Sequence, residues 1–229
     1  MDMKDIAIVT GGGTGLGYAL AEGLLQMGLE VCIVGRRVAV LENAKAALGT
    51  GVRCAAGDIA DETFVKNLYA DLAAEDYQVR YLFNNAGTGR FGVPENNTRA
   101  MIDEALSGSL IGMILMSSNA LPHMQAGGTI VNIMSTAGLR AKPKETVYCA
   151  AKWGARGFTE SLKEAVKGTP VNVVGVYPGG MKTEFWSPDC GAVTDSSKFM
   201  DPADVADVIL HAVSQRPGMA VSDLTIDRK

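Results

Sequence analysis

The sequence predicts an α/β fold: a doubly wound parallel sheet of about seven strands in a single domain over residues 1–229. Three observations carry this. Short β-branched runs alternate with longer helical segments from end to end. A glycine-rich turn, Thr10 to Gly17, links the first apolar run to the first helix. No linker, low-complexity tract or internal repeat divides the chain. Strands separated by crossover helices lie parallel, with helices on both faces of the sheet.

The strand-like runs are Ile6–Val9, Val31–Val34, Val52–Ala55, Tyr81–Phe83, Thr129–Met134, Val171–Val176 and a last one near Leu224. Between the first two, Leu16, Ala19, Leu20, Gly23, Leu24 and Met27 keep the 3.6-residue period of a helix with one apolar face. Val147, Ala151, Ala155, Phe158 and Leu162 keep the same period later in the chain. Asp201-Pro202 reads as an N-cap with proline at the first helical position, and Arg216-Pro217-Gly218 as the stop of that helix. The stretch Arg99–Met124 is apolar on more than one face. It is either a central helix hidden within one chain or, the favoured reading, part of a subunit interface in a homodimer or homotetramer.

Composition is that of a globular protein: 47% apolar, 20% charged, with 27 glycines. A net charge of −4 gives no basic footprint for nucleic acid. No run is expected to span a membrane, and no signal-peptide layout opens the chain. Cys32, Cys54, Cys149 and Cys190 lack metal-ligand spacing and read as free thiols in a reducing cytoplasm. His123 and His211 are too few for a zinc site, so no metal is expected.

The chemistry-bearing residues fall into two groups. Gly11, Gly15 and Gly17 sit where a backbone can turn sharply and bring a pyrophosphate onto a helix N-terminus. After the second strand, where an acid would accept from ribose hydroxyls, stand Arg36 and Arg37. Guanidiniums there either grip a 2′-phosphate, favouring NADP(H) over NAD(H), or are solvated surface groups. Tyr148 and Lys152 are four apart, hence on one helical face. A lysine cation beside a phenol lowers its pKa toward the working range of an acid–base catalyst.

Together these motifs resemble the classical short-chain dehydrogenase/reductase family, from the glycine loop to about Thr183. The segment from Thr10 to Gly17 matches the family's TGxxxGxG, Asn84-Asn85-Ala86-Gly87 its NNAG, and Tyr148 with Lys152 its YxxxK. Ser135 falls at the family's serine, and Pro178-Gly179 with Thr183 matches its PG-x-x-x-T turn. The resemblance implies a Rossmann-like fold and catalysis by Ser135, Tyr148 and Lys152. It implies cofactor contacts from Gly11, Gly13, Thr14, Gly15, Leu16, Gly17, Arg36, Arg37, Asp58, Ile59, Asn85, Ala86, Gly87, Tyr148, Lys152, Pro178, Gly179, Met181 and Thr183. A family asparagine that anchors a proton-relaying water is matched by Ser109, or by the neighbouring Ser107 if the alignment slips; a serine hydroxyl can also donate and accept.

The expected activity is hydride transfer between NADP(H), or NAD(H), and a small-molecule carbonyl or alcohol, with no nucleic-acid or membrane partner. The alternative is an NADP(H)-binding sensor or scaffold with little turnover. In the substrate loop, about residues 184–200, Phe185 and Trp186 with Met181 form either an apolar lid or loop anchors. Arg90, Arg140, Lys142 and Lys144 either attract an anionic substrate or form a solvated face.

Overall fold

The computed structural model describes residues 3–186, 190–191, 195–214 and 219–229. Seven strands run β1 (Lys4–Thr10), β2 (Glu30–Gly35), β3 (Val52–Ala56), β4 (Tyr77–Asn84), β5 (Thr129–Ile133), β6 (Asn172–Pro178) and β7 (Asp223–Ile226). They form one parallel sheet in the order β3-β2-β1-β4-β5-β6-β7. The order reverses between β1 and β4, and clefts in open α/β sheets form at such a switch point.

The helices are α1 (Gly15–Gln26), α2 (Val38–Leu48), α3 (Glu62–Ala74), α4 (Arg99–Leu106), α5 (Gly112–Ala120), α6 (Thr146–Ala165) and α7 (Pro202–Val213). Alternate β1 residues feed two cores. Ala7 and Val9 pack with Leu20 and Leu24 of α1 and Ile209 of α7. Ile6 and Ile8 pack with Val65 and Leu68 of α3, Met116 of α5 and Leu162 of α6. This period-2 division fixes strand register, because a slip of one residue would exchange the two cores.

Two elements differ from expectation. β4 begins at Tyr77 rather than Tyr81. Its first half alternates buried Tyr77 and Val79 with Gln78 and Arg80, which are anchored to Asp5 and to the Ala126 carbonyl. Polar residues with partners on neighbouring segments thus extend a strand whose apolar run looks shorter. The long apolar helix is interrupted: residues Ser107–Ile111 form a single π-type turn between α4 and α5. The expectation of no membrane-length run is also corrected. The helical stretch Arg99–His123 has 25 residues, long and apolar enough to cross a membrane. Here it is a layer of the fold, with Met113, Met116 and Ala120 buried. Asp201 caps α7 as expected, accepting from the Ala203 N–H at 2.9 Å. The proposed stop at Arg216-Pro217-Gly218 lies outside the described residues.

Candidate active site

The loop after β1 is held by its neighbours on β4. Thr10 Oγ1 accepts from the backbone N–H groups of Asn85 and Ala86, each at 3.0 Å, and donates to the Phe83 carbonyl. The Asn85 side chain returns a hydrogen bond to the Thr10 carbonyl at 3.0 Å. Gly11 has φ of +65°, which a side chain would strain. A Cβ at Gly17 would collide with the Gly11 carbonyl oxygen. Only glycine lets α1 start this close to the turn.

The first turn of α1 has no acidic residue, and Thr14 at its N-cap makes no side-chain capping bond. α3 and α7, by contrast, are capped by Asp61 and Asp201. Uncapped N–H groups beside a glycine cradle suit a phosphate anion. Arg36 and Arg37 stand exposed at the end of β2. Arg37 lies 3.9 Å from Glu184, while Arg36 has no ion pair among the described residues. Asp58 is exposed, its carboxylate accepting from the Ala60 N–H at 2.9 Å, and Ile59 is buried against Gly112.

The second group gathers on α6 and the end of β5. Ser135 follows β5, and its hydroxyl accepts from the Ala137 N–H at 3.1 Å. Tyr148 and Lys152 are both buried, and Lys152 Nζ lies 5.7 Å from the centre of the Tyr148 ring. Lys152 donates to the Ile133 carbonyl at 3.2 Å, and burial lowers its pKa to about 8. Burial raises the Tyr148 phenol well above the ordinary tyrosine range; a Ser135 hydrogen bond pulls it down, and Glu145 and Cys149 push it up. The lowering expected from the lysine spacing is therefore corrected: desolvation dominates and raises the phenol, and the group that lowers it is Ser135.

Ser109 sits in the π-type turn, fully buried, and its hydroxyl has no hydrogen-bond partner among the described residues. A Cβ placed on Gly87 would stand 2.9 Å from Ser109 Oγ and 3.5 Å from Lys152 Nζ. Both polar atoms thus border one point beside the NNAG segment. A buried hydroxyl without a protein partner is commonly satisfied by an ordered water.

A cleft of about 900 Å³ joins the two groups. Its lining takes in every expected cofactor and catalytic residue except Gly17 and Ser109. Gly17 serves packing, and Ser109 lies behind the wall that Ser107 and Gly108 present to the cleft. Thr183 closes over Gly15, with its methyl 2.9 Å from where a Gly15 Cβ would be. Of the expected basic groups, Arg140 and Lys142 line the cleft; Lys144 and Arg90 do not, and Arg90 pairs with Glu104 at 2.7 Å.

Phe185 and Trp186 line the cleft, with Phe185 5.7 Å from the Tyr148 ring, and both also pack on Phe91. Residues 187–189 and 192–194 of that loop lie outside the described residues. Sequence reasoning missed Phe91, whose ring meets Tyr148 edge-on at 5.3 Å, and Phe199, Asp227 and Arg228, which also line the cleft.

A family model described as short chain dehydrogenase matches residues 5–190. This chain belongs to the short-chain dehydrogenase family. Its members are oxidoreductases, and so is this chain. It is 33% identical over 188 residues to a 3-oxoacyl-[acyl-carrier-protein] reductase of Homo sapiens, covering 80% of this chain and 78% of that one. It is 29% identical to 2-(S)-hydroxypropyl-CoM dehydrogenase 3 of Xanthobacter autotrophicus, covering 93% of this chain and 91% of that one. Among solved structures, the closed form of a serine dehydrogenase complexed with NADP+ superimposes with a TM-score of 0.89 at 26% identity. That match covers 96% of this chain and 94% of the other.

Proposed function

We propose that this short-chain dehydrogenase interconverts a carbonyl and an alcohol using NADP(H), with Tyr148 as the acid–base group. The observation that carries the reading is the meeting of Ser135, Tyr148 and Lys152 on the wall of a cleft whose other end is the glycine loop. The nicotinamide, when bound, supplies or accepts the hydride. Ser135 orients the substrate oxygen by hydrogen bonding. Tyr148 donates its proton to that oxygen in reduction and takes it back in oxidation. Burial keeps the phenol protonated near neutrality, which suits the donor role. Lys152 holds the nicotinamide ribose, and its cation favours the phenolate left after proton transfer. Ser109 orients a water that returns protons toward Lys152.

The 2′-phosphate of NADP(H) falls to Arg36, the guanidinium at the end of β2 without an ion pair among the described residues. The serine dehydrogenase complexed with NADP+ supports that cofactor. NAD(H) binding is the weaker alternative, since no acid stands at that strand end. A sensor or scaffold role is not favoured, because the three catalytic side chains are all present and adjoining. Rapid mixing of the protein with NADPH and a panel of ketones tests the reading. Oxidation of bound NADPH by at least one ketone is expected; none, with cofactor binding intact, overturns it.

The uncovered faces of α4–α5 and α6 point to a homodimer or homotetramer. Ile111 and Trp153 are 44% and 47% exposed. Burying such a surface in a closed symmetric assembly is the common solution. Sedimentation at micromolar concentration should show a dimer or tetramer; monomer alone would refute it.

A further inference from the structure

Aromatic rings run outward from Tyr148 along one wall of the cleft. Phe185 stands 5.7 Å from the Tyr148 ring, Trp186 5.1 Å from Phe185, and Phe199 5.2 Å from Trp186. The row ends in a charge. Arg228 lies over the Phe199 face, its guanidinium carbon 5.4 Å from the ring centre, and Nη1 donates to the Lys198 carbonyl at 3.5 Å. Arg228 lines the same cleft as Tyr148. The nearby carboxylate of Asp227 is engaged by Arg140 at 2.9 Å and by the Arg228 backbone N–H at 3.1 Å. Lys142, also on the lining, lies 3.9 Å from Glu145. Among the described residues no carboxylate pairs with the Arg228 guanidinium.

An arginine seated on a ring keeps its planar fork oriented while its remaining N–H groups stay free. Such a fork matches a carboxylate with two parallel, charge-assisted hydrogen bonds. The rings between it and Tyr148 offer mostly apolar surface, with the Trp186 indole N–H the one donor their side chains carry.

We propose that Arg228 binds an anionic group of the substrate. The substrate is then a ketone or alcohol whose reacting carbon is joined through an apolar chain to a carboxylate or similar oxyanion. The assignment rests on the Tyr148 reading above and adds the substrate class to it. Arg140, held by Asp227, shapes the rim beside this fork.

The test compares straight-chain keto acids of increasing length with their methyl esters, at saturating NADPH, in the native protein and in Arg228→Ala and Arg228→Lys. The native protein should turn over at least one acid with kcat/KM about tenfold or more above its ester, the scale of a hydrogen bond to a charged group. Arg228→Ala should remove that preference and leave the esters unchanged. Arg228→Lys should keep part of it, because a point charge lacks the fork. Equal use of acid and ester by the native protein, or a preference that survives in Arg228→Ala, overturns the proposal and leaves the Tyr148 reading intact. Calorimetric titration of the NADP+-loaded protein with the keto acids separates the reverse case. Binding lost in Arg228→Ala, without turnover of any acid or ester, keeps the anion site and overturns the Tyr148 chemistry. Neither binding nor turnover overturns the anion site.

Discussion

The two ends of the cleft are built by different means. At the glycine-loop end the backbone sets position. Thr10 is locked to the main chain of Asn85 and Ala86, and Gly11 and Gly17 occupy places that a side chain would strain or fill. At the far end side chains set position, through rings of Phe91, Phe185, Trp186 and Phe199 packed on irregular segments. Backbone devices admit few residue types, whereas an apolar wall can be made from many. The first end therefore carries a motif, and the second needs only apolar residues of suitable size.

Tyr148 stands where the two ends meet, and its loss should have the largest effect. Tyr148→Phe is expected to lower turnover by roughly 10²–10⁴ or more while NADPH affinity barely changes. Steady-state rates beside cofactor titration check this. Near-native turnover would remove the phenol from the mechanism.

The cofactor end is probed by Arg36→Asp. A carboxylate there repels a 2′-phosphate and accepts from ribose hydroxyls, so the NADP(H)/NAD(H) preference should shift by roughly 10–100-fold toward NAD(H). Both cofactors titrated against both proteins give the ratio. A ratio that does not move would place the phosphate on Arg37.

Lys152 sharpens the contrast between stability and function. Its value in the folded protein is about 8 against an ordinary 10.5, because burial penalises the cation. Between those values the unfolded chain holds more protons, so this group makes stability rise with pH. The penalty is full below pH 8 and relieved by about 10.5. Lys152→Met should raise the stability of the cofactor-free protein at neutral pH by about 1–3 kcal/mol and flatten that rise, while activity falls. Melting curves across this pH range, showing no gain at neutral pH, would contradict the cost assigned to burial.

The smallest effect is expected behind the wall, at Ser109. Ser109→Ala should slow single-turnover reduction several-fold, and Ser109→Asn should preserve or raise it, since the amide keeps donor and acceptor with longer reach. Full activity in the alanine variant would end the relay and leave Ser109 as a packing residue.

The strand–helix alternation, the glycine turn and the residues of YxxxK were legible in the sequence because each depends on local rules. A strand shows its period, a helix its stripe, and a positive φ its glycine. Ser135 was legible only through the resemblance, and its meeting with Tyr148 joins the end of β5 to the start of α6. Tertiary structure alone decided the rest. It placed β4 from Tyr77 onward by giving Gln78 and Arg80 partners far along the chain. It put a π-type turn at Ser107–Ile111 and buried the Ser109 hydroxyl there without a partner among the described residues. It reversed the expected sign of the Tyr148 shift, because spacing gives adjacency to a charge but not the loss of water around it. It also carried Phe91 against the Tyr148 ring, and Phe199 and Arg228 to the cleft, from separate parts of the chain. No periodicity encodes such meetings: they follow from how seven strands and their crossovers close on one another.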